Sequence, residues 1–370
     1  MKRYASQGEF HFPKDGIMLT YAAGERVGDD LKIKVKFNAT FNRTLTLDGQ
    51  PLEEYHPGYY RCDYVLKDYK TTLTVKDENS GEEWSTDVYF LKKAYKKYRI
   101  SLDDNIWFLQ NLTENKDVYK SMFEDPYLAL LKSVHDKFQT KFHINIYYET
   151  PRHGGFNLSQ MTDKFKNEFK ENSHWMRLSF HANADYPPRP YWYASYEQAH
   201  FEMERVHKEI LRFAGEEAFA KTVTTIHCGD CSVEAAKAFR DLGVKAFVAS
   251  YRWDSDSDLD IRMYCDGEQC MLINKYGFYY DKEFDIIHFS YYYPVQHTEP
   301  EFYDEGLKNK AEAMPKYPYR EFCLHEQYFY PEFHLYQNNY YEKLCTIASL
   351  CQRDGYEPIF ADELFEFDSH

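Results

Sequence analysis

The sequence predicts a two-part protein of mixed β and α/β class. An N-terminal antiparallel β-sandwich of immunoglobulin-like type spans residues 1–95, and a (β/α) barrel spans residues 96–370. Three observations carry this. Up to about residue 95, short segments alternate apolar and polar residues between turn signals, with no helical period among them. Beyond Tyr98, strand and helix patterns alternate, which is how parallel strands joined by crossover helices read. Finally, about 270 residues of such repeats suit a barrel better than an open sheet, and 370 residues in all suit two domains better than one.

The elements follow in order. Residues 31–37, Leu-Lys-Ile-Lys-Val-Lys-Phe, have the two-residue period of a half-buried strand. Residues 44–47 run into Asp48-Gly49, a hairpin turn. Strands are expected at 59–66, 71–75 and 84–90, with a turn at 77–81. The second part opens with a strand at 99–102. Asp125-Pro126 then starts a helix that carries Leu128, Leu131, Val134 and Phe138 on one face. Strands are expected at 142–148, 176–180, 222–226, 246–250, 284–289, 321–324 and 357–360. Helices are expected at 161–169, around Met203 to Phe213, at 233–242 and at 336–351.

Composition excludes several classes. With 45 basic and 60 acidic residues the net charge is −15, and nucleic-acid binding needs clustered Lys and Arg instead. Aromatics make up 18% of the chain, including 35 Tyr and 28 Phe, which disordered chains lack. No apolar run is long enough to span a membrane, and no apolar stretch follows the basic N-terminus. The expected location is therefore cytoplasmic, with no membrane partner. The eight scattered Cys are read as reduced thiols. Nothing in the sequence indicates an oligomeric state.

A parallel barrel gathers its chemistry at the C-terminal ends of its strands. The residues there are Asp103-Asp104, His181 through Asp185, His227-Cys228, His288, and His325-Glu326. Imidazoles and carboxylates at several tips are the inventory of a metal site with an acid and a base beside it. Any single one of them has a plainer use as a loop hydrogen-bonder.

The order of these motifs resembles the polysaccharide deacetylase superfamily, a glycoside hydrolase/deacetylase barrel, over residues 98–366. Ser101-Leu-Asp-Asp-Asn105 is similar to its first motif. The resemblance implies a distorted (β/α)7-type barrel, Asp103 as general base and Asp104 as a metal ligand. In its second motif two His four apart bind the metal; here His181 matches the first, and Asp185 stands where the second should be. Thr225-Ile-His-Cys-Gly229 occupies the third motif's place, with Thr225 instead of the Arg that orients the base. His227, in place of a proline, reads as an additional ligand or an acid. Phe322-Cys-Leu-His325 is similar to the closing motif and implies His325 as general acid. A backbone N–H near Cys228 would hold the oxyanion. The implied cofactor is a divalent metal ion, zinc by preference, and the implied reaction is removal of an N- or O-acetyl group from a saccharide or polysaccharide. Glycosidic cleavage by barrel carboxylates, or a non-catalytic glycan-binding barrel, are the alternatives.

Aromatic runs adjoin three of the tips: Tyr186 to Tyr193, Tyr291 to Tyr293, and Tyr328 to Tyr330. Arg189, Tyr191, Trp192, Tyr291 and Tyr328 are therefore expected to contact a sugar, against the plainer reading that these rings pin long loops. Arg152 and Arg252 are further loop cations able to meet an acidic sugar or stand in for the missing Arg. Cys228-Gly-Asp-Cys231, with Cys265 and Cys270, has the wrong second spacing for a zinc ribbon. The acidic run 254–260 lacks the Gly and Glu of a calcium-binding EF-hand loop.

Overall fold

A computed structural model describes residues 8–252 and 263–369, so the acidic run 254–260 lies outside the described residues. The fold is mixed α/β, with antiparallel sheets in the N-terminal part and parallel strands beyond it. One antiparallel sheet orders Glu9–Phe12, Asp30–Asn38, Tyr59–Leu66 and Glu53–His56, with Glu25–Val27 also paired to Asp30–Asn38. The alternation seen in the sequence is realised here: Leu31, Ile33, Val35 and Phe37 are buried, while the lysines between them stay accessible. The Asp48-Gly49 turn has both residues at positive φ, +47° and +82°, the twist a two-residue hairpin needs.

The second sheet links the two parts. Its nine strands run from Gln50–Pro51 through Leu45–Leu47, Lys70–Asp77 and Glu83–Phe90 to Ile17–Leu19. They then continue into Phe278–Asp281, Ile286–Ser290, Ala246–Ala249 and Val223–Thr224. The join is antiparallel, with Phe278 opposite Met18 and Tyr279 opposite Ile17. Sequence patterning expects a boundary near residue 95, yet this ladder of backbone bonds runs across both sides of it.

The third sheet is parallel: Met176–Ala182, Phe142–Tyr147, Lys97–Asn105, Tyr319–His325 and Tyr293–Pro294. The parallel strands thus lie in two ladders, not one continuous ring. Between them, Leu178 bonds Ala218 and Ala220 at 2.8 Å each, and on the other side Tyr292 N–H donates to Glu321 O at 2.9 Å. Helices cover the outside. Pro126–Phe138 is capped by Asp125, whose carboxylate accepts from Leu128 N–H, and it buries Leu128, Leu131, Val134 and Phe138 as its period requires. Tyr196–Phe213 buries Met203, Val206, Ile210 and Phe213. His207 is buried on that face against Phe219, and burial pushes its imidazole down to about 3. No helix among the described residues is long and apolar enough to cross a membrane.

Polar side chains are buried among the parallel strands. Arg99 and Glu321, both with fully buried side chains, pair at 2.7 Å. Above them His143 Nε2 lies 2.9 Å from Ser179 Oγ, which donates to Asn145 Oδ1 at 2.6 Å. Asn145 Nδ2 donates in turn to Ser101 Oγ at 2.8 Å and to Asp103 Oδ1 at 2.6 Å. This run of bonds leads to the strand ends where the chemistry sits.

Candidate active site

Two adjacent residues of a regular strand point to opposite faces. Asp103 and Asp104 escape this rule. The register between Lys97–Asn105 and Phe142–Tyr147 slips between Leu102 and Asn105, and Asp104 takes φ +60°. Asp is among the few residues that tolerate this conformation, and the bulge aims both carboxylates at the same group of histidines. Asn105 satisfies the loosened backbone by donating to Leu102 O and Asn145 O. Glu326 holds the other side: its buried carboxylate accepts from the N–H groups of Ile106, Trp107 and Phe108, capping the Trp107–Glu114 helix.

Asp104 Oδ1 is the centre of the cluster. It accepts from Tyr147 OH, and it lies 2.9 Å from His181 Nε2 and 3.1 Å from His227 Nδ1. The two imidazole nitrogens are 3.2 Å apart. His181 Nδ1 lies 2.6 Å from Thr225 O, a carbonyl that can only accept, so the ring proton belongs there. That leaves the Nε2 lone pair facing a carboxylate oxygen, two acceptors in contact that only a proton or a cation can bridge. Zinc bonds of about 2.0–2.1 Å meeting at tetrahedral angles set ligand atoms about 3.3 Å apart. The separations here are 2.9–3.2 Å, so the two-nitrogen, one-oxygen set fits a divalent metal in both chemistry and spacing. Burial opposes ionisation of Asp104, yet His325, His181 and His227 outweigh it and hold the carboxyl well below its usual range. Burial likewise opposes charge on His227, but the bonds to Asp104 and Cys228 raise it to about 10.

Asp103 lies beside this group, in direct register with His325 on the neighbouring strand. Its Oδ1 accepts from Ser101 at 2.8 Å and Asn145 at 2.6 Å; its Oδ2 accepts from Tyr291 OH and Cys323 Sγ, both at 3.1 Å. Burial disfavours the charge, but His181, His325 and the Cys323 and Ser101 bonds outweigh it and keep the carboxyl below its ordinary value. Asp103, Cys323 and His325 form a second close group of ligand-type atoms. His325 Nε2 is 3.9 Å from Asp104 Oδ2, and its Nδ1 is buried without a hydrogen-bond partner among the described residues.

These groups open on a cavity of about 560 Å³, lined by Asp103, His181, His227, Tyr291, Lys310 and His325 among others. Cys228 also lines it, exposed, with φ +63°. Burial pushes the Cys228 thiol up, but the His227 bond outweighs it and lowers it. Cys231, Cys265 and Cys270 are buried.

The remaining sequence-predicted residues are placed as follows. Asp185 is not in the three-atom cluster; its carboxylate lines a separate cavity of about 280 Å³ with Asp104, Tyr147 and Arg152, and its Oδ1 is buried. Tyr191 is fully buried, packed on Phe180 and Phe239, with its hydroxyl donating to Glu202. Arg189 pairs with Asp230 and covers the ring of Trp192 at 3.4 Å. Tyr328 sits beside His325, ring centroids 5.4 Å apart. His288 is fully buried between Tyr251 and Tyr264 hydroxyls, and burial lowers it to about 3. Sequence reasoning missed Tyr147, Asn145, Ser101 and Cys323. Tyr147 and Asn145 stand two apart in one expected strand, hence on one face, but nothing in that segment marked which face turns inward.

No protein-family model matches the chain, and no curated protein matches it. Among solved structures, the chain is similar to the Bc1960 peptidoglycan N-acetylglucosamine deacetylase at 10% identity and TM-score 0.37, over 73% of this chain and 88% of that one. It is similar to a calcium-binding mutant of Bacteroides uniformis beta-glucuronidase 2 at 9% identity and TM-score 0.31, over 93% of this chain and 45% of that one. A family 123 glycoside hydrolase from Clostridium perfringens is similar at 10% identity and TM-score 0.24, over 86% and 70%. The chain thus spans less than half of the glucuronidase. At these TM-scores the matches carry no argument about the site, whose reading rests on its own geometry.

Proposed function

We propose that the protein is a metal-dependent hydrolase that removes N- or O-acetyl groups from a saccharide, on a distorted seven-stranded deacetylase-like barrel preceded by the sandwich of residues 1–95. The observation that supports this most is the convergence of Asp104 Oδ1, His181 Nε2 and His227 Nδ1 within 2.9–3.2 Å, with the two histidines lining a 560 Å³ cavity. These three residues would hold the ion, with Asp185, which lines a neighbouring cavity together with Asp104, nearby. When bound, a divalent ion supplies Lewis acidity to an acyl carbonyl and acidifies a water.

The chain's own groups do the rest. Asp103 takes a proton from the attacking water; Ser101 and Asn145 fix one of its oxygens, Tyr291 and Cys323 the other. His325, with an unpartnered Nδ1 and Nε2 turned towards Asp104, delivers a proton to the departing amine or alcohol. The N–H of Cys228, on its left-handed turn, faces the developing oxyanion. Tyr291, Tyr328, Trp192 and Arg189 shape the approach of the sugar, with Tyr191 supporting the loop from inside.

The test is acetate release from acetylated oligosaccharides by protein loaded with zinc, beside reducing-end release from the same sugars without acetyl groups. Acetate release that a chelator abolishes is the expected result. Cleavage of unacetylated chains alone would replace the reading with glycosidic hydrolysis, and binding without turnover would replace it with a glycan-binding protein.

A further inference from the structure

The two parts of the chain also meet at a second cavity, of about 400 Å³, which shares no lining residue with the 560 Å³ cavity. Five lysines line it: Lys14, Lys34, Lys36, Lys275 and Lys316. They come from separate places in the chain. Lys36 lies on the Asp30–Asn38 strand, Lys275 on the Gly267–Tyr276 helix, and Lys316 just before the Tyr319–His325 strand. In a chain with 60 acidic and 45 basic residues, such a convergence runs against the overall charge.

The carboxylates do not account for it. Glu268, the one acidic residue among the described lining, lies 3.5 Å from Lys14. Lys34 has Asp63 at 3.8 Å. Among the described residues, Lys36, Lys275 and Lys316 have no carboxylate within ion-pair distance, whereas Lys32 on the same strand as Lys36 does. The ammonium groups of Lys275 and Lys316 each lie 5.2 Å from the centroid of one ring, Tyr276, and Lys316 also lies 5.9 Å from that of Phe12. Two ammonium groups each 5.2 Å from one centroid are at most 10.4 Å apart, close enough for like charges to repel at low salt. Burial, followed by the charges of Lys275 and Lys36, lowers the Lys316 ammonium. Folding therefore holds three cations together without internal compensation, and a bound anion relieves the repulsion.

We propose that this cavity is a binding site for a doubly charged oxyanion of the phosphate or sulfate class, held by Lys36, Lys275 and Lys316. Three unpaired ammonium groups match two charges better than the single charge of a carboxylate. The group arrives either as the free ion or carried on a sugar; both have the same chemistry at the lysines. The proposal stands apart from the hydrolase reading and uses none of its residues.

The experiment is calorimetric titration of the full chain at low ionic strength with inorganic phosphate, sulfate, glucose 6-phosphate, and glucose as the neutral control. Phosphate and sulfate are expected to bind at one site that weakens as NaCl rises, with glucose silent. Tighter binding of glucose 6-phosphate than of phosphate assigns the anion to a sugar; equal binding assigns the free ion. Lys316→Gln and Lys275→Gln are each expected to weaken phosphate about tenfold, the equivalent of about 1.4 kcal/mol. Lys308→Gln, which removes a lysine paired with Asp304 elsewhere, leaves binding unchanged. Thermal melting gives an independent readout: without anion, Lys316→Met raises the midpoint by relieving repulsion, and with phosphate the order reverses. Absence of phosphate and sulfate binding at low salt, or binding that survives Lys36→Gln/Lys275→Gln/Lys316→Gln intact, would overturn the proposal.

Discussion

Replacing Tyr147 by Phe removes one oxygen from the wall of the three-residue cluster and nothing else. The hydroxyl donates to Asp104 Oδ1 and lies 2.8 Å from His227 Nδ1, while the ring packs 5.2 Å from His181 and 5.3 Å from His227. Phe keeps those ring contacts, so the substitution separates orientation of the ligands from packing. A hydrogen bond to a charged partner contributes about 1.5–3 kcal/mol, and loss of a group that orients metal ligands weakens metal affinity by about 10–100-fold. The two ranges agree, since 10–100-fold corresponds to about 1.4–2.8 kcal/mol. Zinc competition against a chromophoric chelator at neutral pH is expected to show this loss, with unchanged circular dichroism. Tyr303→Phe is the control: its buried hydroxyl donates to Val295 O at 2.9 Å away from the cluster, so it lowers stability by about 1 kcal/mol and leaves zinc affinity alone. Equal zinc affinity in Tyr147→Phe and the parent protein would refute the assignment of Asp104 and His227 as ligands oriented by Tyr147.

Other perturbations test other parts of the site. Asp104→Ala is expected to abolish zinc binding, and Asp103→Ala to lower turnover by about 10²–10⁴-fold while zinc binding is kept; equal zinc loss in both, read by metal analysis after dialysis, would contradict the two roles. Arg99→Met strands the fully buried Glu321 and is expected to cost about 3–5 kcal/mol in urea unfolding, most of which the double variant Arg99→Met/Glu321→Leu recovers. Glu326 gives a pH signature. Burial raises its carboxyl from 4.5 to about 7, so the folded state holds that proton more tightly than the unfolded chain. Its contribution is therefore fully present below pH 4.5 and is lost as pH rises through 7, by at most about 3 kcal/mol. Stability measured across pH 5–8 should fall less steeply in Glu326→Gln, and an unchanged slope would remove Glu326 as its source; Glu321, also raised to about 7 by burial, acts in the same direction.

What could be read from the sequence, and what could not, divides along physical lines. Local signals carried through: Asp125-Pro126 caps the helix it announces, and the 31–37 alternation gives a strand with its apolar side buried. The grouping of Asp103-Asp104, His181, His227 and His325 was also legible, because carboxylates and imidazoles stand together at several expected strand ends, although His288, of the same type, is buried apart from them. Two kinds of information were not. The first is register. Asn145 and Tyr147 sit in a strand buried on both faces, so burial does not reveal which side meets Asp103 and Asp104. Only the slip between Leu102 and Asn105, with Asp104 at positive φ, decides it. The second is what an aromatic ring is for. Tyr191 and Trp192 are neighbours in one loop, yet one is fully buried in the core and the other lies exposed under Arg189. Composition cannot separate them, because both uses favour the same flat ring with a polar edge. The same limit explains the lysine cavity. Lys36, Lys275 and Lys316 each look like an ordinary surface charge within their own segment, and their convergence exists only once Ile17–Leu19 has paired with Phe278–Asp281 and brought the two parts of the chain together.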